Sequence, residues 1–258
     1  MRSLSIVLSF LFISYMGFGQ HYNQVNSQGQ KIGKWQKKYK NGQLRYKGQF
    51  EKGYEVGDFI YYYPSGKIES KISFSEQGKR ANIKTYYKNG GIEASGSFYE
   101  KRKDGEWKYY SEDGALVKLE NYSNGLKNGI WLVYYPNEKV ASEKHWKNGV
   151  LDGPWREFFK DGQLKLSTTY VDGKLAGEYK SYYLGNKISR KGQYVEGKMD
   201  GVWLGFDEKG LKKSYEKYKM GYLEVEKQFQ DGKMVYINDK INDIFKDLRK
   251  KELDEEEQ

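Results

Sequence analysis

Eight positions set 24 residues apart carry a ring or a large aliphatic side chain: Trp35, Phe59, Ile83, Trp107, Trp131, Trp155, Tyr179 and Trp203. A second column keeps the same interval, through Phe50, Phe74, Phe98, Tyr122, Trp146, Tyr170, Tyr194 and Tyr218. Glycine does so twice, from Gly42 with Glu138 and Asn186 as exceptions, and from Gly33 with Ala81 as the exception. No insertion or deletion breaks the phase across residues 33–224. A chain that repeats itself at a fixed period folds as a stack of like units, each resting on its neighbours, and not as a globule around one core.

Each unit holds two strands. In the first, residues 34–40 and 43–51 flank Asn41-Gly42, the dipeptide that best tolerates the positive φ angles of a tight hairpin. A two-residue loop pairs Lys40 with Gln43, Tyr39 with Leu44 and Trp35 with Gly48. Side chains alternate along a strand, so Trp35, Tyr39, Leu44 and Phe50 share one face, here face A. Gln36, Lys38, Lys40, Arg45, Lys47 and Gln49 share the opposite face B, and residues 52–57 turn the chain into the next unit. Later units add one ring to face B, at Tyr62, Tyr86, Tyr110, Tyr134, Phe158, Tyr182 and Phe206.

Short turns lay each strand antiparallel beside the last. The expected fold is all-β: an elongated single-layer antiparallel β-meander of about eight hairpin repeats and about 16 strands. Its structural core is the column Trp35, Phe59, Trp107, Trp131, Trp155, Tyr179 and Trp203, each ring beside the next unit's ring. Such cross-strand pairs contribute roughly 0.2–1 kcal/mol each. Composition agrees with a sheet wetted on both sides. Aromatic residues are 17% and charged residues 31% of the chain, at a mean hydropathy of −0.94, so amphipathic rings stand where a globule would carry aliphatics.

The ends differ in kind. Residues 1–19 read as a signal peptide: Arg2, an apolar run over 4–16, then Gly17 and Gly19 before a cut at Gln20. This implies export to the periplasm or the outside of the cell. The chain has no cysteine, hence no lipobox anchor and no disulfide. Residues 20–32 form a lead-in, 33–224 the repeats and 225–237 a terminal strand region. Residues 238–258 are expected to be a capping helix with an acidic tail, Asn238 or Asp239 being the N-cap. Its stripe of Ile241, Ile244, Phe245 and Leu248 has helical spacing and would fold over the last hairpin near Phe229.

"GEWKYYSEDGAL", "GIWLVYYPNEKV" and "GPWREFFKDGQL" resemble the MORN-repeat family, in its bacterial variant form. The resemblance covers about residues 33–221, most of the mature chain. It implies an elongated β-meander serving as a scaffold for protein or phospholipid contacts. Bacterial proteins with this variant are often described as similar to antitoxins of the YwqK type.

Reactive groups are sparse. The two histidines are His21, just after the expected cut, and His145, a face B strand position beside Trp146; metal sites need several ligands. Asp104, Asp113, Asp152, Asp161 and Asp172 read as turn residues. No catalytic, cofactor or metal site is expected, and no enzyme activity. Candidate partner-binding residues are Tyr62, Tyr86, Tyr110, Tyr134, Phe158 and Tyr182. Several have a basic residue two positions earlier, at Lys84, Lys108, Arg156 and Lys180, a pairing suited to a polyanion or to sugar rings; the alternative is that these tyrosines only stack on one another and lean on lysine stems. The net charge of +10 combines 45 basic with 35 acidic residues and no dense basic run, which argues against nucleic acid.

Face A, by this reading, exposes a large apolar patch that invites self-association or a partner. Its variable positions Lys37, Tyr61, Thr85, Tyr109, Val133, Glu157, Ser181 and Gly205 would write specificity. The expected function is an exported, non-enzymatic scaffold for a partner protein or an envelope component, glycan or phospholipid. The alternatives are an antitoxin-like inhibitor and a phospholipid-binding or carbohydrate-active surface protein.

Overall fold

Strand follows strand with no helix between them. The computed structural model describes residues 21–239, and among these there are twenty strands. They are β1 Gln24–Val25, β2 Lys31–Lys38, β3 Leu44–Glu51, β4 Tyr54–Tyr62, β5 Ile68–Ser75, β6 Arg80–Tyr86, β7 Ile92–Tyr99, β8 Arg102–Tyr110, β9 Leu116–Ser123 and β10 Leu126–Lys127. Then come β11 Gly129–Tyr134, β12 Val140–Lys147, β13 Val150–Phe158, β14 Leu164–Val171, β15 Lys174–Tyr182, β16 Ile188–Val195, β17 Lys198–Phe206, β18 Lys212–Lys219, β19 Tyr222–Gln230 and β20 Lys233–Asp239. Each strand pairs antiparallel with its predecessor, and β10 and β11 share β9. The product is one open meander. The short β1 and β10 and the hairpin β19–β20 raise the strand number above the expected 16.

The register corrects the two-residue loop. The Tyr39 amide donates to the Gln43 carbonyl, and Gly42, at φ 83°, closes the turn onto Tyr39. The loop therefore has three residues, Lys40 to Gly42. A bulge between Lys37 and Lys38 absorbs the extra residue, so Trp35 still faces Gly48. The bulge moves two columns. Leu44 pairs with Lys38, a face B residue, and its equivalents Ile68, Ile92 and Leu116 pair with Tyr62, Tyr86 and Tyr110. Arg45 moves to face A, its guanidinium 5.8 Å from the Tyr39 ring. Asn41 serves the turn through its side chain, accepting from the Gln43 amide and donating to the Pro64 carbonyl of the next unit.

Residues 52–57 are not one turn. Lys52 and Gly53, at φ 49° and 87°, make a two-residue hairpin loop of the kind whose twist matches that of the strands, and β4 starts at Tyr54. Two extra residues, Gly57 among them at φ 64°, then bulge out between the Val56 and Ile60 pairings. Ala81 stands in this glycine column, and a side chain disfavours that backbone conformation. The β5–β6 ladder accordingly runs unshifted from Ser70↔Thr85 to Ser75↔Arg80. Its turn grows to four residues, 76–79, and the period is kept.

Phe59 and Trp203 are 1% exposed, and Phe50 and Trp107 5%; the expected open apolar patch on face A is absent at these rings. Edge-to-face packing accounts for part of this, with centroids 5.3 Å apart for Phe50–Phe59 and 5.2 Å for Phe59–Phe74. Basic stems cover the rest, as where the Lys127 ammonium sits 4.3 Å and 4.1 Å from Trp131 and Trp146.

Burial also follows the residue beneath each ring. Phe59, Trp107 and Trp203 lie flat over Gly48, Gly96 and Gly192, where an added Cβ would meet ring carbons at 2.1–2.4 Å. Trp131, Trp155 and Tyr179 stand beside Glu120, Lys144 and Thr168 and are only half-buried. Ile83 pairs with Ile72, two medium side chains sharing the volume of ring and glycine.

The expected signal peptide at 1–19 lies outside the described residues, as do residues 240–258. Asn238 and Asp239, the expected N-cap residues, are strand residues paired with Glu226 and Val225, and the helix expected after them lies outside the described residues. The run Val235, Tyr236 and Ile237 favours extending the sheet.

Candidate functional site

Face B is laid out in three rows across the strands. Nearest the intra-unit loops stand ring–aliphatic pairs: Tyr62–Ile68, Tyr86–Ile92, Tyr110–Leu116, Tyr134–Val140, Phe158–Leu164 and Tyr182–Ile188. All six rings are half-buried. Opposed pairs of this kind stabilise a sheet, and they give each ring an aliphatic flank that the sequence reading placed on the other face.

The second row runs Lys47, Ile60, Lys71, Lys84, Ser95, Lys108, each opposite the next. The third is polar. Ser73 donates to Asp58 at 2.5 Å and Ser97 to Asn82 at 2.7 Å. Where the rows meet over β5–β8 there is an open trough of about 480 Å³ bounded by Lys71, Lys84, Lys108 and Tyr86.

Four basic residues were singled out from the sequence, and three of them are paired. Lys108 lies 2.8 Å from Glu106, Arg156 3.0 Å from Glu143 and Lys180 2.7 Å from Glu178. The bonds from Glu106 and Glu178 hold the Lys108 and Lys180 ammonium groups above the ordinary lysine pKa. Lys84 instead faces Lys71 across the ladder. Neither has a carboxylate within 4.0 Å among the described residues.

His145 Nε2 donates to the Glu143 carboxylate at 2.8 Å, and Glu143 also takes Arg156, which ties β12 to β13. Among the described residues no group of three potential ligands could hold a metal. Asp113, Asp161 and Asp172 occupy turns, Asp161 accepting from the Gln163 amide. Asp104 and Asp152 instead fall in β8 and β13, and Asp104 accepts from the Asn124 amide across the following turn.

Face A holds a charged cluster that the repeat pattern conceals. Glu120, 3% exposed, stands where three other units have Gly48, Gly96 and Gly192. Its carboxylate takes the Lys118 ammonium at 2.8 Å and the Tyr122 hydroxyl at 2.9 Å, with Lys103 at 4.0 Å. Burial pushes its pKa up, but hydrogen bonds from Lys118, Tyr122 and Tyr109 outweigh that and hold it below the ordinary value. Burial and the Glu120 carboxylate raise Tyr109 and Tyr122, while burial lowers Lys103. Glu216, four units on, repeats the device with Arg190 at 2.6 Å and Tyr218 at 2.9 Å. Every oxygen is engaged from within the sheet, so the cluster is packing rather than a binding site. The sequence signal was available: two acids, Glu120 and Glu216, and one basic residue, Lys144, in a column otherwise small or apolar.

The family model described as MORN repeat variant matches residues 31–52, 55–76, 103–124, 127–148 and 151–172, five segments that are similar to that variant repeat. The units between and after them keep the same register, as at Gly177↔Tyr194 and Gly201↔Tyr218. No curated protein matches the chain. Among solved structures, the GtfA/B complex bound to UDP and GlcNAc is similar at 13% identity and a TM-score of 0.20, over 44% of this chain and 22% of that one. The Photorhabdus luminescens Tc holotoxin pore is similar at 10% identity and a TM-score of 0.23, over 82% of this chain and 14% of that one. The TcdB2-TccC3 structure is similar at 9% identity and 0.22, over 84% and 14%. The chain spans between 14% and 22% of the length of these proteins, and scores this low carry no argument.

Proposed function

We propose that this repeat protein is a non-enzymatic scaffold, exported from the cytoplasm, that binds a partner protein or an envelope component through face B. The observation that supports the reading is the unequal use of the two faces. Face A uses its rings and charges for packing, whereas face B lines up half-buried rings beside Lys71 and Lys84, which have no carboxylate partner among the described residues, along a trough open to solvent. An extended row of this kind suits an elongated partner; a reaction would need reactive groups converging in an enclosed site. The apolar run at 4–16 supports export.

The test is affinity capture of the tagged protein from its own envelope, repeated with Lys84→Gln/Tyr86→Ala. The reading expects a reproducible co-purifying species that is lost with the face B variant while the variant stays folded. Capture unaffected by that variant contradicts it.

A further inference from the structure

We propose that face B takes an acidic polysaccharide, a chain of sugars bearing carboxylates, laid across β5–β8 along the trough of Lys71, Lys84 and Lys108. This rests on the reading of face B as the binding face and names its ligand.

The first ground is the Lys71–Lys84 pair. The two residues are directly opposed on neighbouring strands, an arrangement that costs stability when both carry the same charge. Lys108, Arg156 and Lys180 on this face have acids beside them; Lys71 and Lys84 do not among the described residues. An anion lying between them removes the repulsion and gains two charge-assisted contacts.

The second ground is the contrast between the flanks. On one side stands the Tyr86 ring, 5.9 Å from the Lys71 ammonium, backed by Ile92. On the other stand the hydroxyls of Ser73 and Ser97, the amide of Asn82 and the Glu106 carboxylate, which Lys108 neutralises at 2.8 Å. A sugar offers an apolar ring face to the first and hydroxyl edges to the second. A bare phosphate chain offers Tyr86 nothing.

The third ground is spacing and extent. One unit advances the row by two strands, about 9.6 Å, close to two sugars of an extended polymer. A ring and a lysine thus recur for every second sugar. The trough is open along the direction crossing the strands, which admits a chain. Past Lys108 the same row turns apolar at Leu119 and Leu132 before charge returns at Glu143 and Arg156, so the lysines around the trough form a stretch of their own over β5–β8.

The test titrates the full-length folded protein with oligogalacturonate, with neutral malto-oligosaccharide of equal length and with polyphosphate. Oligogalacturonate is expected to bind, more weakly as salt rises, and malto-oligosaccharide not to. Lys71→Gln/Lys84→Gln should weaken binding roughly tenfold and leave the melting temperature equal or higher, since it removes a repulsion. Tyr86→Leu should weaken oligogalacturonate several-fold and leave any polyphosphate binding unchanged. Equal binding of polyphosphate together with indifference to Tyr86→Leu overturns the sugar assignment, as does failure of oligogalacturonate to bind. If it fails while envelope capture still depends on Lys84 and Tyr86, the scaffold reading stands and the ligand is a protein or another envelope component. If capture is also indifferent, both readings fall.

Discussion

The Tyr39 hydroxyl donates a 2.7 Å hydrogen bond to the backbone carbonyl of Tyr62, one unit downstream. The same latch recurs from Tyr63 to Tyr86, Tyr87 to Tyr110, Tyr135 to Phe158 and Tyr183 to Phe206. It explains the paired aromatics that close each first strand: one ring faces side B, and the next reaches along side A to hold the following hairpin. Ser111 and Phe159 occupy the latch column without a phenol. A neutral hydrogen bond contributes about 0.5–1.5 kcal/mol net. Tyr63→Phe should therefore lower unfolding stability by about 1 kcal/mol, and Phe159→Tyr should raise it by a similar amount. Urea unfolding midpoints check both, and an unchanged Tyr63→Phe midpoint rejects the latch.

Gly96 lies under the Trp107 indole so closely that a Cβ would sit 2.2 Å from a ring carbon. Gly96→Ala must push the ring aside, at a cost of about 1–3 kcal/mol. The chain already contains the compensated alternative in Ile72 facing Ile83. Gly96→Ile with Trp107→Ile should recover most of what Gly96→Ile alone loses, a coupling that a double-mutant cycle of melting curves reads directly. Additive losses would mean that ring and glycine do not share one volume.

Stability should fall at both ends of the pH scale, for reasons located in the Glu120 cluster. The folded pKa of Glu120 lies below its ordinary 4.5. Its contribution is present above 4.5 and is lost as pH falls toward the folded value, because the unfolded chain binds the proton first. The folded pKa values of Tyr109 and Tyr122 lie above their ordinary 10.0. Their contribution is present below 10 and is lost as pH rises past it. Lys103, lowered from 10.5 by burial, acts in the opposite sense, one group against two. Glu120→Gln should cost about 1–3 kcal/mol at neutral pH and flatten the acid limb. Melting temperature against pH for wild type and variant checks this, and parallel acid limbs would contradict it.

The period of 24 carried most of the architecture into view: hairpins in antiparallel sequence, with Trp35, Phe59, Trp107, Trp131, Trp155, Tyr179 and Trp203 on one face. The loops were harder because two errors cancelled. A loop one residue too short and an unseen bulge at Lys37–Lys38 left Trp35 opposite Gly48, so the columns looked right while Leu44 and Arg45 were exchanged between faces. The glycine column at Gly57 suggested a turn because positive φ suits turns and bulges alike; only the pairing distinguishes them. On face B, the rings and Lys84 were legible, but Lys71 was not, since its meaning comes from the strand opposite. The extent of burial on face A escaped too, because the glycines under Phe59, Trp107 and Trp203 sit eleven residues earlier in the chain.

The most direct test of the division between faces uses two residues of the β5–β8 stretch. Trp107 lies against Phe98 on face A, with centroids 5.0 Å apart, and Tyr86 pairs with Ile92 on face B. Melting temperature and binding of the captured envelope ligand are measured for Trp107→Ala and Tyr86→Ala. The account predicts a large fall in melting temperature for Trp107→Ala, with binding retained by the folded fraction. For Tyr86→Ala it predicts weakened binding and a nearly unchanged melting temperature. Equal destabilisation by both variants, or undiminished binding by Tyr86→Ala, would contradict it.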